Sequence, residues 1–127
     1  MGIPNSALAE ISGLVGNTGS KTAFTYLANG TSSTAFAASQ TALVAENNNT
    51  YGFGRAAASV SQVTTTQTND TLQLTKTWTA TGSVTVREVG VFNASSNGTM
   101  LARTVLSADK TIASGETYAL TYKVKFS

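Results

Sequence analysis

Three stretches of this chain predict an all-β protein: a single antiparallel β-sandwich or jelly-roll-like domain over residues 20–127, behind an N-terminal arm or short helix over residues 1–19. The first stretch is Ser83–Ser107, where Val84–Phe92 and Thr99–Leu106 read as strands joined by the polar loop Asn93–Gly98. Its β-branched and aromatic residues suit strands, and Asn-Ala-Ser-Ser-Asn-Gly is rich in turn formers. The second is Glu116–Ser127, with Tyr118, Leu120, Tyr122, Val124 and Phe126 on one face and Thr121, Lys123 and Lys125 on the other. The third is Thr71–Ala80, where Leu72, Leu74, Trp78 and Ala80 share a face against threonines, interrupted by Lys76. A core centred on Trp78, Val86, Leu120, Tyr122 and Val124 follows.

The remaining elements come in order. Within residues 1–19, Leu8, Ile11, Leu14 and Val15 have helical spacing, with Asn5 or Ser6 as candidate caps and Gly13 and Gly16 as interruptions. Thr22–Ala28 alternates around Phe24 and Tyr26 and runs into Asn29-Gly30, a turn signal. Thr31–Gln40 reads as a loop, Thr41–Glu46 as a single helical turn, and Asn47–Asn49 as its breaker. Tyr51–Gly54 is a glycine–aromatic turn, and Ala56–Thr68 is β-prone up to the turn at Asn69-Asp70. Ala108–Ile112 is expected to be a connection. The count is about six to eight antiparallel strands, as sandwiches require.

The first stretch also carries a pair of charges. Folding it about its loop sets Phe92 opposite Thr99, Val91 opposite Met100 and Glu88 opposite Arg103. Two opposite charges in an apolar ribbon read as a cross-strand ion pair, Glu88 with Arg103. The apolar phase slips from even positions (Val84, Val86) to odd ones (Val89, Val91). Either both faces of this strand are covered or a bulge lies near Arg87–Glu88.

Composition limits the function classes. At 127 residues the chain is one domain, able to bury roughly two-thirds of its unfolded surface. Charged residues make up 11%, well under the usual quarter or so, and Thr, Ser, Ala, Asn and Gly replace them. The net charge is +2 and the basic residues are dispersed, which argues against a nucleic-acid footprint. There is no cysteine and no histidine, so thiol chemistry and the commonest metal and acid–base side chain are missing. No run approaches the roughly 18 apolar residues of a membrane span, and the start does not read as a signal peptide, so synthesis in a cytoplasm is expected.

Motifs that match by letter fail by context. In Gly13–Thr22, Ser20 separates Gly19 from Lys21 and no strand precedes, so this is not a phosphate-binding loop. Gly52–Ala57 matches a dinucleotide fingerprint outside any βαβ unit. Met1–Ser6 fits the letters of a myristoylation signal and reads as a plain arm. The five sequons at Asn29, Asn48, Asn69, Asn93 and Asn97 read as turns. The six acids are dispersed, with Glu46–Arg55 and Glu88–Arg103 read as structural pairs. No catalytic residue, cofactor site or metal site is assigned.

Arg87-Glu-Val-Gly-Val-Phe-Asn-Ala, followed by Gly98-Thr-Met-Leu-Ala-Arg-Thr-Val, resembles a segment of small structural proteins of tailed bacteriophages. A related E-(I/V)-G-(L/I/V)-(F/Y) strand occurs in phage tail fibre and collar proteins. Phe24-Thr-Tyr-Leu-Ala-Asn-Gly-Thr and Gln40-Thr-Ala-Leu-Val-Ala-Glu resemble further stretches of the same family, with Asn29 a departure from an apolar or small residue. The resemblance covers roughly residues 22–127 and implies a virion part without saying which; the dispersed acids give the separate expectation that the chain is not an enzyme. Capsid decoration is the first expectation. A tail, collar or fibre component, or a receptor- or glycan-binding module with exposed aromatics near Tyr51–Phe53, is the alternative; an extracellular filament subunit ranks below both. The expected partners are other copies, a trimer by analogy with decoration proteins, and the major capsid protein or other virion proteins. Leu8, Ile11, Leu14 and Val15 are the expected assembly arm, clamping a neighbouring subunit or the particle shell.

Overall fold

The computed structural model describes residues 2–127. Among them are one α-helix, α1 (Asn5–Gly16), and seven strands: β1 (Tyr26–Gly30), β2 (Ala56–Ala57), β3 (Ser59–Val63), β4 (Thr71–Thr79), β5 (Val84–Phe92), β6 (Met100–Ile112) and β7 (Thr117–Lys125). They form two antiparallel sheets packed face to face, one in the order β2-β1-β5-β6 and one in the order β3-β4-β7. The chain passes between the sheets at Ala58, whose N–H donates to Thr25 O at 2.8 Å. This is the all-β sandwich with an N-terminal helix that the alternating strands predict.

The core lies between the sheets. Leu27, Val86, Val89, Val91 and Leu101 of the first sheet meet Leu74, Trp78, Tyr122 and Val124 of the second. Trp78 stacks between Phe53 and Tyr118, at ring separations of 6.0 and 6.4 Å. Its indole N–H donates to Gly54 O at 2.9 Å, so the polar end of this buried ring is satisfied. Leu120 is only half-buried, and Phe126, expected inward, is 54% exposed because β7 ends at Lys125.

A second, smaller cluster of Ala28, Leu43, Phe92 and Met100 lies on the outer face of the first sheet. Residues 31–47 cross that face as a strap. Both explanations of the apolar phase slip in β5 therefore hold. The face is covered, and the β5–β6 register breaks between Val86 and Glu88. Val86 pairs with Lys110 and Glu88 with Val105, so Arg87 alone faces Leu106–Asp109. The Arg87 guanidinium satisfies that irregular stretch, donating to Leu106 O at 2.7 Å and to Asp109 Oδ1 at 3.1 Å.

Several local expectations are corrected. Neither Asn5 nor Ser6 caps α1; Pro4 precedes it, and the Asn5 N–H donates to Ala38 O of the strap at 2.9 Å. Asn29-Gly30 is not a turn but the buried end of β1. Asn29 is kept there by its own hydrogen bonds, donating to Phe53 O at 3.1 Å and accepting from Asn47 Nδ2 at 2.7 Å. Gly30 is required there, since a Cβ would collide with Ala45 O and the Glu88 carboxylate. Thr41–Glu46 forms no helical turn, because tertiary hydrogen bonds to Glu88 outweigh an isolated turn with its unfavourable nucleation. Ala108–Ile112 is not a connection but the end of β6, held by pairing with β5 and by the burial of Ile112.

Candidate functional site

Glu88 and Arg103 are both 0% exposed, and Arg103 Nε donates to Glu88 Oε1 at 2.9 Å. They are not directly opposite one another. Bulges place Glu88 across from Val105 and Gly90 across from Arg103, so the pair is diagonal. The offset from the expected register is two residues, which preserves the face on which both side chains lie; an offset of one would have separated them.

The Glu88 carboxylate does more than pair. It accepts the backbone N–H groups of Ser32 at 3.2 Å, Val44 at 2.9 Å and Ala45 at 2.8 Å. One buried anion thus holds both ends of the strap on the sheet. Arg103 Nη1 reaches Gln40 Oε1 at 3.3 Å, adding the middle of the strap. A second pair secures the far end. Arg55 donates to both Glu46 carboxylate oxygens, at 3.0 and 2.7 Å, and its guanidinium lies 3.6 Å from the Phe92 ring centroid. Its Nη1 also donates to Ala94 O and Asn97 O, tying the β5–β6 loop to the strap. A polar cleft of about 550 Å³ opens beside this pair, lined by Thr41, Asn48, Asn49, Ser95 and Ser96 among others.

The expected assembly arm divides. Ile11 packs on the chain's own core beside the fully buried Ala7, so the inner side of α1 belongs to this domain. Gly2 also exchanges backbone hydrogen bonds with Arg103, both at 2.9 Å. Leu8, Leu14 and Val15 point away, with Leu8 57% and Val15 84% exposed. Leu14 and Val15 border an apolar groove of about 260 Å³ whose other walls include Phe24, Val60, Leu72 and Phe126. Val60 and Phe126 are also exposed, so the apolar surface runs from α1 across the end of the second sheet. The aromatic platform expected at Tyr51–Phe53 is not formed: Tyr51 is exposed, but Phe53 is in the core.

All six acids have partners. Glu10 meets Lys21, Glu46 meets Arg55, Glu88 meets Arg103, and Asp109 meets Arg87. Glu116 accepts the N–H of Ala113 at 2.7 Å. Asp70 accepts the N–H groups of Gln67, Thr65 and Thr66, which hold its carboxyl well below the usual carboxylate range. Burial pushes the Tyr122 phenol up to about 12, opposed by its hydrogen bond with Thr104. Among the described residues, no three His, Cys, Asp or Glu side chains are grouped to hold a metal ion. No helix there is long and apolar enough to cross a membrane.

Sequence reasoning missed the Asn29–Asn47 pair and the three-amide grip of Glu88. The signal for the first was present, an Asn where an apolar or small residue was expected, though its partner is 18 positions away. No protein-family model matches the chain, and no curated protein matches it either.

Proposed function

We propose that this chain is a non-enzymatic structural subunit of a tailed-phage virion, decorating the capsid as a homo-oligomer, with trimers the expected form. Its place of action on this reading is the virion, with the major capsid protein as the neighbouring partner. The observation that carries the reading is the apolar groove bordered by Leu14, Val15, Val60 and Phe126, with Leu8 exposed on the same helix, on a weakly charged sandwich. Contiguous exposed apolar surface marks interaction sites, and low charge removes repulsion between copies. Because the surface offers both a groove and projecting apolar side chains, a second copy suits it. The full engagement of the six carboxylates in structural contacts supports a binding role over acid–base chemistry.

Copy number on purified particles tests this. Decoration predicts hundreds of copies on the head, whereas a few dozen or fewer on the tail would move the chain to a fibre or collar. Absence from particles would overturn the reading.

A further inference from the structure

The dipeptide Asn-Gly occurs twice in the chain, in opposite surroundings. Asn29 is 0% exposed, its Nδ2 donates to Phe53 O at 3.1 Å, and its Oδ1 accepts from Asn47 Nδ2 at 2.7 Å. The residue after it, Gly30, is paired with Glu88 in the β1–β5 ladder. Asn97 and Gly98 are instead exposed, in the loop between β5 and β6. Among the described residues, neither the Asn97 carboxamide nor the Gly98 N–H has a hydrogen-bond partner. The polar contact of this dipeptide is made by Asn97 O, which accepts from Arg55 Nη1 at 2.8 Å. Position 98 also requires glycine: its φ is 71°, and a Cβ would collide with Ala94 Cβ and Asn93 Oδ1. The backbone nitrogen that follows Asn97 is therefore unpaired, open to water and unshielded by a side chain.

We propose that Asn97-Gly98 is a self-modifying site, at which water converts the asparagine to an isoaspartyl linkage whose freed carboxylate is held by Arg55. Reach is supplied by the chain itself. Gly98 N and Asn97 Cγ are separated only by the Asn97 carbonyl carbon, Cα and Cβ, so a bond between them closes a five-membered ring. Solvent hydroxide takes the Gly98 amide proton, the nitrogen lone pair bonds to Cγ, and the Cγ–Nδ2 bond breaks. Nδ2 leaves as ammonia with a proton from water, which restores the hydroxide. Water then opens the cyclic imide at one of its two carbonyls. Opening at the former backbone carbonyl breaks its bond to Gly98 N and leaves the main chain running through Cγ. The new carboxylate contains Asn97 O, the oxygen that Arg55 already contacts. A guanidinium on that oxygen stabilises the anion, which favours this opening over the one at Cγ. The balance is one carboxamide and one water giving one carboxylate and one ammonium ion, with no oxidant or cofactor. Arg55 then faces two carboxylates, the new one and Glu46, and the polar cleft beside them passes from charge-balanced to net negative.

The test is prolonged incubation of the full, folded chain in mildly alkaline buffer, followed by intact mass and by peptide mapping that separates aspartyl from isoaspartyl products. The mass is expected to rise by about 1 Da, ammonia lost against water gained, with the change confined to Asn97. In guanidinium chloride both Asn29 and Asn97 are expected to convert, because folding alone protects Asn29. The isoaspartyl share at Asn97 should be higher in the folded chain than in the unfolded one. Asn97→Gln, whose longer side chain cannot close the five-membered ring, should keep its starting mass when folded. A folded wild type of unchanged mass overturns the proposal, and so does a gain that persists in Asn97→Gln. Conversion of Asn29 as fast as that of Asn97 in the folded chain would also overturn it, since the selectivity would not come from the structure. An isoaspartyl share no higher in the folded than in the unfolded chain removes Arg55 from the role assigned to it.

Discussion

The outer face of the first sheet and the surface around α1 solve opposite problems. On the first, the chain buries an ion pair and then covers it with its own strap, so that the Glu88 carboxylate has four hydrogen-bond donors. At the second, Leu8, Leu14, Val15, Val60 and Phe126 are left in solvent. Most polar groups withdrawn from water on that face are completed within the domain, since an uncompleted buried charge is strongly unfavourable; Arg103 Nη2 is the exception, buried without a hydrogen-bond partner. Exposed apolar groups carry a smaller penalty and can remain in solvent. Self-sufficiency is thus strictest where the penalty is largest, and the incomplete surface is where function is to be sought.

The largest expected effect breaks the covered side. Glu88→Ala leaves Arg103 buried without its anion and frees three strap amides, and is expected to destabilise the domain by about 3–5 kcal/mol in denaturant unfolding. Arg103→Ala should do likewise, with strong non-additivity in the double variant. Additive effects would show that the pair does not act as a unit. Trp78→Ala, in the main core, should also cost about 3–5 kcal/mol, and a much smaller loss would contradict its packing between Phe53 and Tyr118.

A medium effect concerns alkali. The folded pKa of Tyr122 is near 12 against an ordinary 10.0, so the unfolded chain releases this proton first. Tyr122 therefore adds no pH dependence well below 10 and lowers stability as pH rises from 10.0 toward about 12. Unfolding measured across that window should be less steep in Tyr122→Phe, and equal slopes would remove Tyr122 as the cause. A small effect sharpens the contrast between neighbours on one strand. Arg87 pairs with the largely exposed Asp109, and Asp109→Ala is expected to cost no more than about 1 kcal/mol. A loss comparable to that of Glu88→Ala would erase the distinction between covered and open charges.

The covered side was legible in outline. Two opposite charges in an apolar ribbon announced the pair, and the slip in apolar phase announced a bulge or a cover, of which the structure has both. The register was not legible, since neither break in the β5–β6 ladder has a sequence marker as local as Asn-Gly. Asn29-Gly30 carries that marker and is a strand, because partners at Phe53 and Asn47 override the turn preference. The strap was likewise hidden, as its path depends on a carboxylate more than 40 positions from Val44 and Ala45. At α1 the helical spacing was readable, but the division between inward Ile11 and outward Leu14 and Val15 follows from where β6 and the strap receive the helix.

The proposed assembly role of the open surface is tested most directly by Val15→Asp, at the most exposed of its apolar positions, assayed for binding to particles that lack this protein. The variant should unfold within about 0.5 kcal/mol of the wild type, as surface substitutions do, and should fail to bind. Wild-type binding by a fully folded Val15→Asp protein would contradict the account and move the interface away from α1.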